Sequence, residues 1–481
     1  MKFMSFIFFG ILFLSFALFG IMFFTYPSGR QEVQSGDFLY TSSRSAVTIT
    51  RYIGAGGAVV VPDRITIRRG TGAPVALPVK VIGAGAFHAR TNLTSVTLPN
   101  GVAAIGDSAF SSCTDLTSVI LPDGLTTIGG FAFYGCTNLT SVLLPNGLTR
   151  IGDTTFYECT RLASVSIPDS VTSIGRTAFY GCRGLTSVII PNRVTSIGSS
   201  AFSGCRSLTE LTIGNRVKTI GDSAFSECAG LTSVTLPASV TSIGRIAFQC
   251  CSGLTSVTLP DCAISIGEQA FYDCRSLTSV SIPARVASIG TGAFRDCRSL
   301  SAIDVSVSNR NYASVDGVLF NKARTVLMQY PTGKQGASYV VPDGVTTIDV
   351  FVFEGCRGLT SVTLPASVTT ISYGAVWYCS VTSVRLLGLC PTVKDTYVSD
   401  MTDKETGFVG FATFFNEGKE DGVFDPRVTV YVERVHLAAW DALVSNGPIE
   451  GGNAMWRGRP IRLFPATAGA GEPQMHASTH E

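Results

Sequence analysis

The segment Leu185-Thr186-Ser187-Val188-Ile189-Ile190-Pro191-Asn192-Arg193-Val194-Thr195-Ser196-Ile197-Gly198-Ser199-Ser200-Ala201-Phe202-Ser203-Gly204-Cys205-Arg206-Ser207-Leu208 decides the architecture. The same phrase stands upstream in Leu93-Thr94-Ser95-Val96-Thr97-Leu98-Pro99, where Val96 and Leu98 alternate with Ser95 and Thr97. Alternation of that kind marks a short strand with one buried face. Pro99 cannot donate to a strand ladder and ends it. A second extended piece, Val102 to Ile105, leads to Gly106, which suits a turn with positive φ. Ala109-Phe110-x-x-Cys113 then fits one helical or 3₁₀ turn, with Phe and Cys facing inward.

Outward from this segment the phrase recurs in strict phase. Phe87, Phe110, Phe133, Phe156, Phe179, Phe202, Phe225, Phe248, Phe271 and Phe294 are each 23 residues apart. From Phe110 onward a Cys follows each Phe by three positions, from Cys113 to Cys297, and Arg90 holds that place after Phe87. Leucines from Leu93 to Leu300 keep the same beat. No single coil of this size buries its apolar set, so stacked coils are required: Phe on Phe, Ile on Ile, Leu on Leu.

The beat breaks after Leu300 and resumes at Ile348, Phe353, Cys356 and Leu359. Asp316-Gly317 and Asn321-Lys322 read as turns between strand-like runs, so the intervening residues are expected to form a hairpin-like inserted coil. The last repeat decays, with Val376 in the Phe place and Cys379 in the Cys place. The organisation expected is residues 1–25 as signal anchor or signal peptide, 26–45 as linker and 46–84 as an N-terminal capping coil. Repeats then fill 85–384, with the insert at about 304–340. A C-terminal cap containing a helix-like Val435 to Leu443 follows at 385–464, and a disordered tail at 465–481. Within the cap, 402–423 mixes Gly, charges and Phe408, Phe411, Phe414 and Phe415, and is expected to be a loop.

At the N-terminus Lys2 precedes an apolar run, Phe3 to Phe24. About 20 apolar residues span a bilayer core. The run lacks a small-residue cleavage site, so an uncleaved anchor is expected, with the rest of the chain outside the cell. Cleavage would make the protein secreted instead. Charged residues are only 15% of the 481, and the net charge is +2, which excludes a strongly basic nucleic-acid binder. An apolar content of 45% argues against disorder despite 50 glycines.

The pattern Leu-x-x-Val-x-Leu-Pro, Val-x-x-Ile-Gly, Ala-Phe-x-x-Cys-x-x-Leu resembles the BspA-type (Treponema pallidum-type) leucine-rich repeat family. The resemblance covers roughly Val47 to Phe464, and it includes the longer repeat at Asn311 to Pro331 and the ends at Ile49 to Val79 and Val430 to Val432. Arg90, Gly214 in the Pro place and Ala263 depart from it. It implies a leucine-rich repeat solenoid, β-rich (α+β) in class, with an atypical N-terminal coil and a small α+β C-terminal cap. It further implies a surface or secreted protein engaged in adhesion and recognition of protein or glycan partners.

Chemistry is sparse. The histidines are His88, His436, His476 and His480, and none pairs with a nucleophile at a recognisable spacing. Of 14 cysteines, 11 share one repeat phase and none forms Cys-x-x-Cys, so no metal site and no cofactor are expected. Neighbouring coils about 4.7–4.9 Å apart would allow disulfides along the ladder. Packing as a small buried residue favours a reduced ladder instead.

Two candidate contact surfaces emerge. The residue after the ladder Cys is Arg in Arg183, Arg206, Arg275, Arg298 and Arg357, a basic stripe suited to an anionic partner. Asp273 and Asp296 are placed to neutralise part of it. The outward strand positions form a Ser/Thr face with an aliphatic cluster at Ile120, Leu143 and Ile189. The competing hypothesis is an enzyme with its site in 385–464, where His436, Asp441, Glu417 and Glu420 are the available groups, and a third is a structural surface spacer.

Overall fold

The computed structural model describes residues 32–69, 72–372, 375 and 379–387, and the backbone of the strands Thr392–Lys394, Thr429–Val432, Met455–Trp456 and Arg459–Leu463. Within these residues the chain winds as a succession of short strands and turns, and no helix occurs. Each repeat contributes one strand of three to five residues, such as Leu93–Thr97, and one of two or three, such as Ala104–Ile105 and Thr370–Ser372. The two-residue strands from Arg150–Ile151 to Ser288–Ile289 form one continuous parallel sheet of seven. The longer strands pair in parallel in smaller groups, Ser141–Leu143 with Ser164–Ser166 and Ser187–Ile190 with Glu210–Ile213 among them. In the repeats before the insert partners differ by 23 residues, as Val142 and Val165 or Ser279 and Ala302 do, so the sequence period is the stacking period there.

The core is a set of columns. Phe87 to Phe294 are buried, and consecutive rings stack with centroids 4.9 Å apart at Phe87–Phe110 and 5.6 Å at Phe271–Phe294. The nine ladder cysteines from Cys113 to Cys297 are free thiols and buried. Each of these thiols donates to the carbonyl of the Phe one coil earlier, as Cys205 Sγ does to Phe179 O at 3.3 Å. Arg90, which lacks a thiol to give, donates from Nη2 to Tyr52 O, the equivalent carbonyl at the end of the stack. Tyr52 fills the rung before Phe87, 5.2 Å away, and Phe38 closes over it.

Two local expectations are corrected. Gly106 does not adopt positive φ; an added Cβ would meet Ala84 N at 2.6 Å. Gly198, Gly221 and Gly244 face the backbone of the preceding coil in the same way. The Ile-Gly pair therefore reflects close approach of two backbones, the second use of glycine besides turns. The Phe-x-x-Cys segment is not a helical turn either. Ser108 and Ser112 have φ of 54° and 60°. Between them, bonds within the coil (Ser111 N to Ser108 O, Cys113 N to Phe110 O) alternate with bonds to the next coil (Phe110 N to Ala132 O, Ser112 N to Tyr134 O). A helix would keep every N–H for itself. Placing two residues per coil in the left-handed region costs roughly 1–2 kcal/mol each, and each frees an N–H to join the coils at about 0.5–1.5 kcal/mol per bond plus the burial that follows.

Residues 33–42, expected as linker, form a hairpin of Val33–Ser35 and Phe38–Ser42, and the second strand pairs antiparallel with Val47–Tyr52. The hairpin covers the edge of the parallel ladder, as an end-cap must. The insert contains the expected hairpin: Tyr312–Val315 and Val318–Asn321 pair antiparallel around Asp316-Gly317, with φ of 49° and 73°. Val326–Gln329 follows antiparallel and then runs parallel to Thr347–Ile348, returning the chain to the stack. Buried Asn309 pins the insert, donating to Pro283 O and Val286 O and accepting from the amides of Asn311 and Tyr312.

Beyond the repeats, Ser383–Leu386, Thr429–Val432 and Arg459–Leu463 continue the parallel ladder. The apolar run Phe3–Phe24, Val376, Cys390, the segment 402–423, the helix-like Val435–Leu443 and the tail lie outside the described residues. Among the described residues no helix is long and apolar enough to cross a membrane.

Candidate functional site

The longer strands hold alternate residues inward and outward, and the outward sets align by register within each paired group and by the 23-residue period between groups. Val60 lies opposite Thr97, Thr97 opposite Ile120, Leu143 opposite Ser166 and Ile189 opposite Thr212. Their inward neighbours Val119, Val142 and Val188 are buried, which fixes the direction of the outward ones. Ile120, Leu143 and Ile189 are 62%, 75% and 67% exposed. One exposed aliphatic residue is ordinary on any protein. Three within four successive coils of one column form a patch held in water by the fold. Around them the column is hydroxylic, with Thr212, Thr235 and Thr258 toward the C-terminal side.

The arginines lie on a different edge, at the exit of the turn segment. Here the structure brings carboxylates beside them. Arg275 Nε lies 2.7 Å from Asp273 Oδ1, and Arg298 Nε lies 3.5 Å from Asp296 Oδ1. Arg183 and Arg206 meet Glu158 and Glu227 on adjacent coils, at 3.9 and 2.7 Å. Sequence inspection missed these two glutamates. The signal was available, because Glu158, Glu227, Asp273 and Asp296 share one repeat phase, the residue before the ladder Cys. That position is also left-handed, with φ of 54° to 60° in these four residues. Arg357 is exposed on the same edge beyond the insert. The stripe is therefore a row of exposed ion pairs rather than a field of one sign. Each pair is worth about 0–1 kcal/mol and exchanges readily with an incoming charge.

A third feature was not foreseen. Tyr134, Tyr157 and Tyr180, each following a ladder Phe, stack half-buried at 5.0 and 4.7 Å on the turn side. Burial raises their phenols above the ordinary range. His88 keeps one side in solvent, and desolvation of its covered side lowers its pKa. Among the described residues no group of three or more His, Cys, Asp or Glu is placed to hold a metal ion. His436, Asp441, Glu417 and Glu420 lie outside the described residues.

Comparison with known proteins agrees with the repeat geometry. The family described as "BspA type Leucine rich repeat region" matches in six copies across residues 80–209, 195–320 and 333–399. A leucine-rich repeat protein from Bacteroides ovatus ATCC 8483 superposes with a TM-score of 0.57 at 20% identity, covering 92% of this chain and 100% of that one. A leucine rich cell surface protein from Faecalibacterium prausnitzii A2-165 matches at 24% identity and TM-score 0.38, covering 85% and 90%. The T. pallidum leucine-rich repeat protein matches at 28% identity and TM-score 0.31, covering 56% and 91%. No curated protein matches the chain. The first superposition establishes a shared fold and is silent on any ligand.

Proposed function

This chain belongs to the BspA type leucine-rich repeat family, and from that premise we propose that it is a non-enzymatic recognition scaffold. It is displayed at the cell surface on the membrane segment 3–24, and it binds a protein or glycan partner through the side of its solenoid. No nucleic acid is involved. The observation that carries this reading is the outward column with Ile120, Leu143 and Ile189 exposed. A rigid stack that holds apolar side chains in water, within largely hydroxylic surroundings that include the exposed carboxylate of Glu210, has the composition of an interaction patch. The arginine edge is a second contact candidate for an anionic partner, through Arg183, Arg206, Arg275, Arg298 and Arg357.

The test is a glycan and protein array probed with residues 30–481, repeated with Ile120→Asp/Leu143→Asp and with Arg275→Ser/Arg298→Ser. Loss of binding in the first variant assigns contact to the sheet face. Loss in the second, with retention on heparin that falls steeply with salt, assigns it to the arginine edge. Absence of any bound partner leaves a structural spacer and overturns the recognition role.

A further inference from the structure

From Pro99 to Pro283 the strand-ending residue of each repeat is Pro, with Gly214 the one exception. The strands on both sides of that turn pair in register with those of the coil before, Ile190 with Ile213 and Ser196 with Thr219. Arg193 therefore stands opposite Arg216, and Thr195 opposite Lys218. Both turns close in the same way, Val194 N donating to Pro191 O and Val217 N to Gly214 O. A Cβ added at Gly214 would press on Pro191 O and lie 2.6 Å from Pro191 C, so glycine lets the second turn settle directly on the first. Asn215 N then donates to Asn192 Oδ1 at 3.0 Å and ties the two turns together.

That tie replaces another. On the flanking coils the arginine place is held by Ser170 and Ser239, whose hydroxyls turn back to Leu148 O at 2.6 Å and Val217 O at 2.7 Å. With the asparagines joining the coils, Arg193 and Arg216 are released to solvent, and both are exposed, as is Lys218. None of the three enters an ion pair among the described residues, whereas Arg183 and Arg206 each meet a glutamate. The acids of this row stand outside the pair, Asp169 one coil before Arg193 and Asp261 two coils beyond Arg216. The two coils are close, with their rings Phe202 and Phe225 5.4 Å apart. Three like charges held there repel one another, and an anion between them relieves the repulsion.

We propose that Arg193, Arg216 and Lys218 form a seat for an anionic group of a polysaccharide, a sulfate ester or a uronic carboxylate. The proposal rests on the recognition role above and places the anionic contact on this row, apart from the paired arginine edge. Two guanidinium forks one coil apart donate N–H pairs to such a group from either side, and Lys218 adds a third charge. The bounding aspartates set the charge density of the partner. Duplex DNA carries a charge every ~1.7 Å and would press phosphates onto Asp169 and Asp261. A polysaccharide that spaces its anionic groups with neutral sugars does not. Exposed Thr195, Thr212 and Thr219 supply hydroxyls around the row for those sugars.

Calorimetric titration of the full chain with a heparin hexasaccharide, and with a hyaluronan hexasaccharide that carries carboxylates and no sulfate, tests the seat. Binding of heparin alone assigns a sulfate, and binding of both assigns either group. Arg193→Ser/Arg216→Ser installs the residue the flanking coils already carry. Its unfolding temperature is expected to stay that of wild type, while affinity falls on the order of ten-fold or more. Lys218→Thr, matching Thr195 and Thr241 at the same phase, is expected to give a smaller loss. Arg275→Ser/Arg298→Ser is expected to keep affinity within about two-fold. The inference is overturned if neither sugar binds wild type at low salt, if Arg193→Ser/Arg216→Ser binds as wild type, or if a DNA duplex competes as well as the sugars. Each of those results leaves the recognition role standing, because that role fails only when the array finds no partner.

Discussion

The coils on either side of the insert solve one problem, keeping register along the axis, by different means. From Phe87 to Phe294 each ring stacks on the next within 19° of parallel, and each thiol takes the carbonyl of the coil before. Every junction there is a copy of its neighbour. Beyond the insert the rings tilt, Tyr330 to Phe353 by 47° and Tyr339 to Phe353 by 60°. The Cys356 thiol turns to Glu354 O within its own coil, at 3.9 Å. Register there rests on particular groups: Asn309, the hairpin, and the buried ion pair of Arg295 with Glu354. Repetition spreads stability over many equal contacts, while a singular junction concentrates it in a few.

The largest effect should come from the ring column. Phe202→Ala, between Phe179 and Phe225, is expected to cost about 3–5 kcal/mol in denaturant unfolding. A melting profile indistinguishable from wild type would show that the column is not internal. Next comes the close approach of backbones. Gly198→Ala places a Cβ 2.6 Å from the Gly175 carbonyl group and should cost about 1–3 kcal/mol. Asp349 stands at the matching position next to the inserted coil, its amide donating to Leu327 O. Asp349→Gly should change stability little, and an equal penalty at both positions would erase the distinction between the two kinds of junction.

The thiols give a smaller and chemically distinct contrast. Burial raises the thiols of Cys113, Cys136, Cys159, Cys182, Cys205, Cys228 and Cys251, Cys113 to about 12, so none of these forms a thiolate near neutral pH. Alkylation of the native protein should modify Cys262, which is half-buried, before the nine buried ladder cysteines from Cys113 to Cys297. Cys205→Ala, which removes the bond to Phe179 O, should cost about 0.5–1.5 kcal/mol, and rapid labelling of Cys205 in folded protein would contradict its burial. Smallest of all, Arg275→Ser/Arg298→Ser should shift stability by less than about 0.5 kcal/mol. A larger loss on thermal unfolding would make the arginine edge a structural seam and not a contact surface.

The stacking period, the ring column, the insert with its Asp316-Gly317 turn and the outward placement of Ile120, Leu143 and Ile189 were all legible, because each depends only on which residues recur at 23. The role of the Ile-Gly glycines was not. A glycine chosen for close approach and one chosen for positive φ look alike in a sequence, and only the neighbouring coil distinguishes them. The hairpin at 33–42 was hidden because the strand it covers, Val47–Tyr52, becomes the edge of a parallel ladder only by pairing with Val75–Ile82 on its other side. Glu158 and Glu227 were hidden because a stripe of like charge was sought along a single phase, whereas the neutralising phase lies two residues away and one coil over. The partner is not written in the repeats at all: the inward residues that make the pattern visible are those a ligand never meets.

The thiol ladder has one more consequence. Because Cys205 bonds to Phe179, Cys228 to Phe202 and Cys251 to Phe225 in the same way, removing one 23-residue unit from this stretch joins two ends that already fit. Length is thus a free variable of the first stack. A gene of this kind can lose or duplicate units by unequal recombination and still encode a folded chain, lengthening or shortening the distance between its two ends without redesigning either. The buried pair of Arg295 with Glu354 marks where that freedom stops, since a unit gained or lost between them would separate the two.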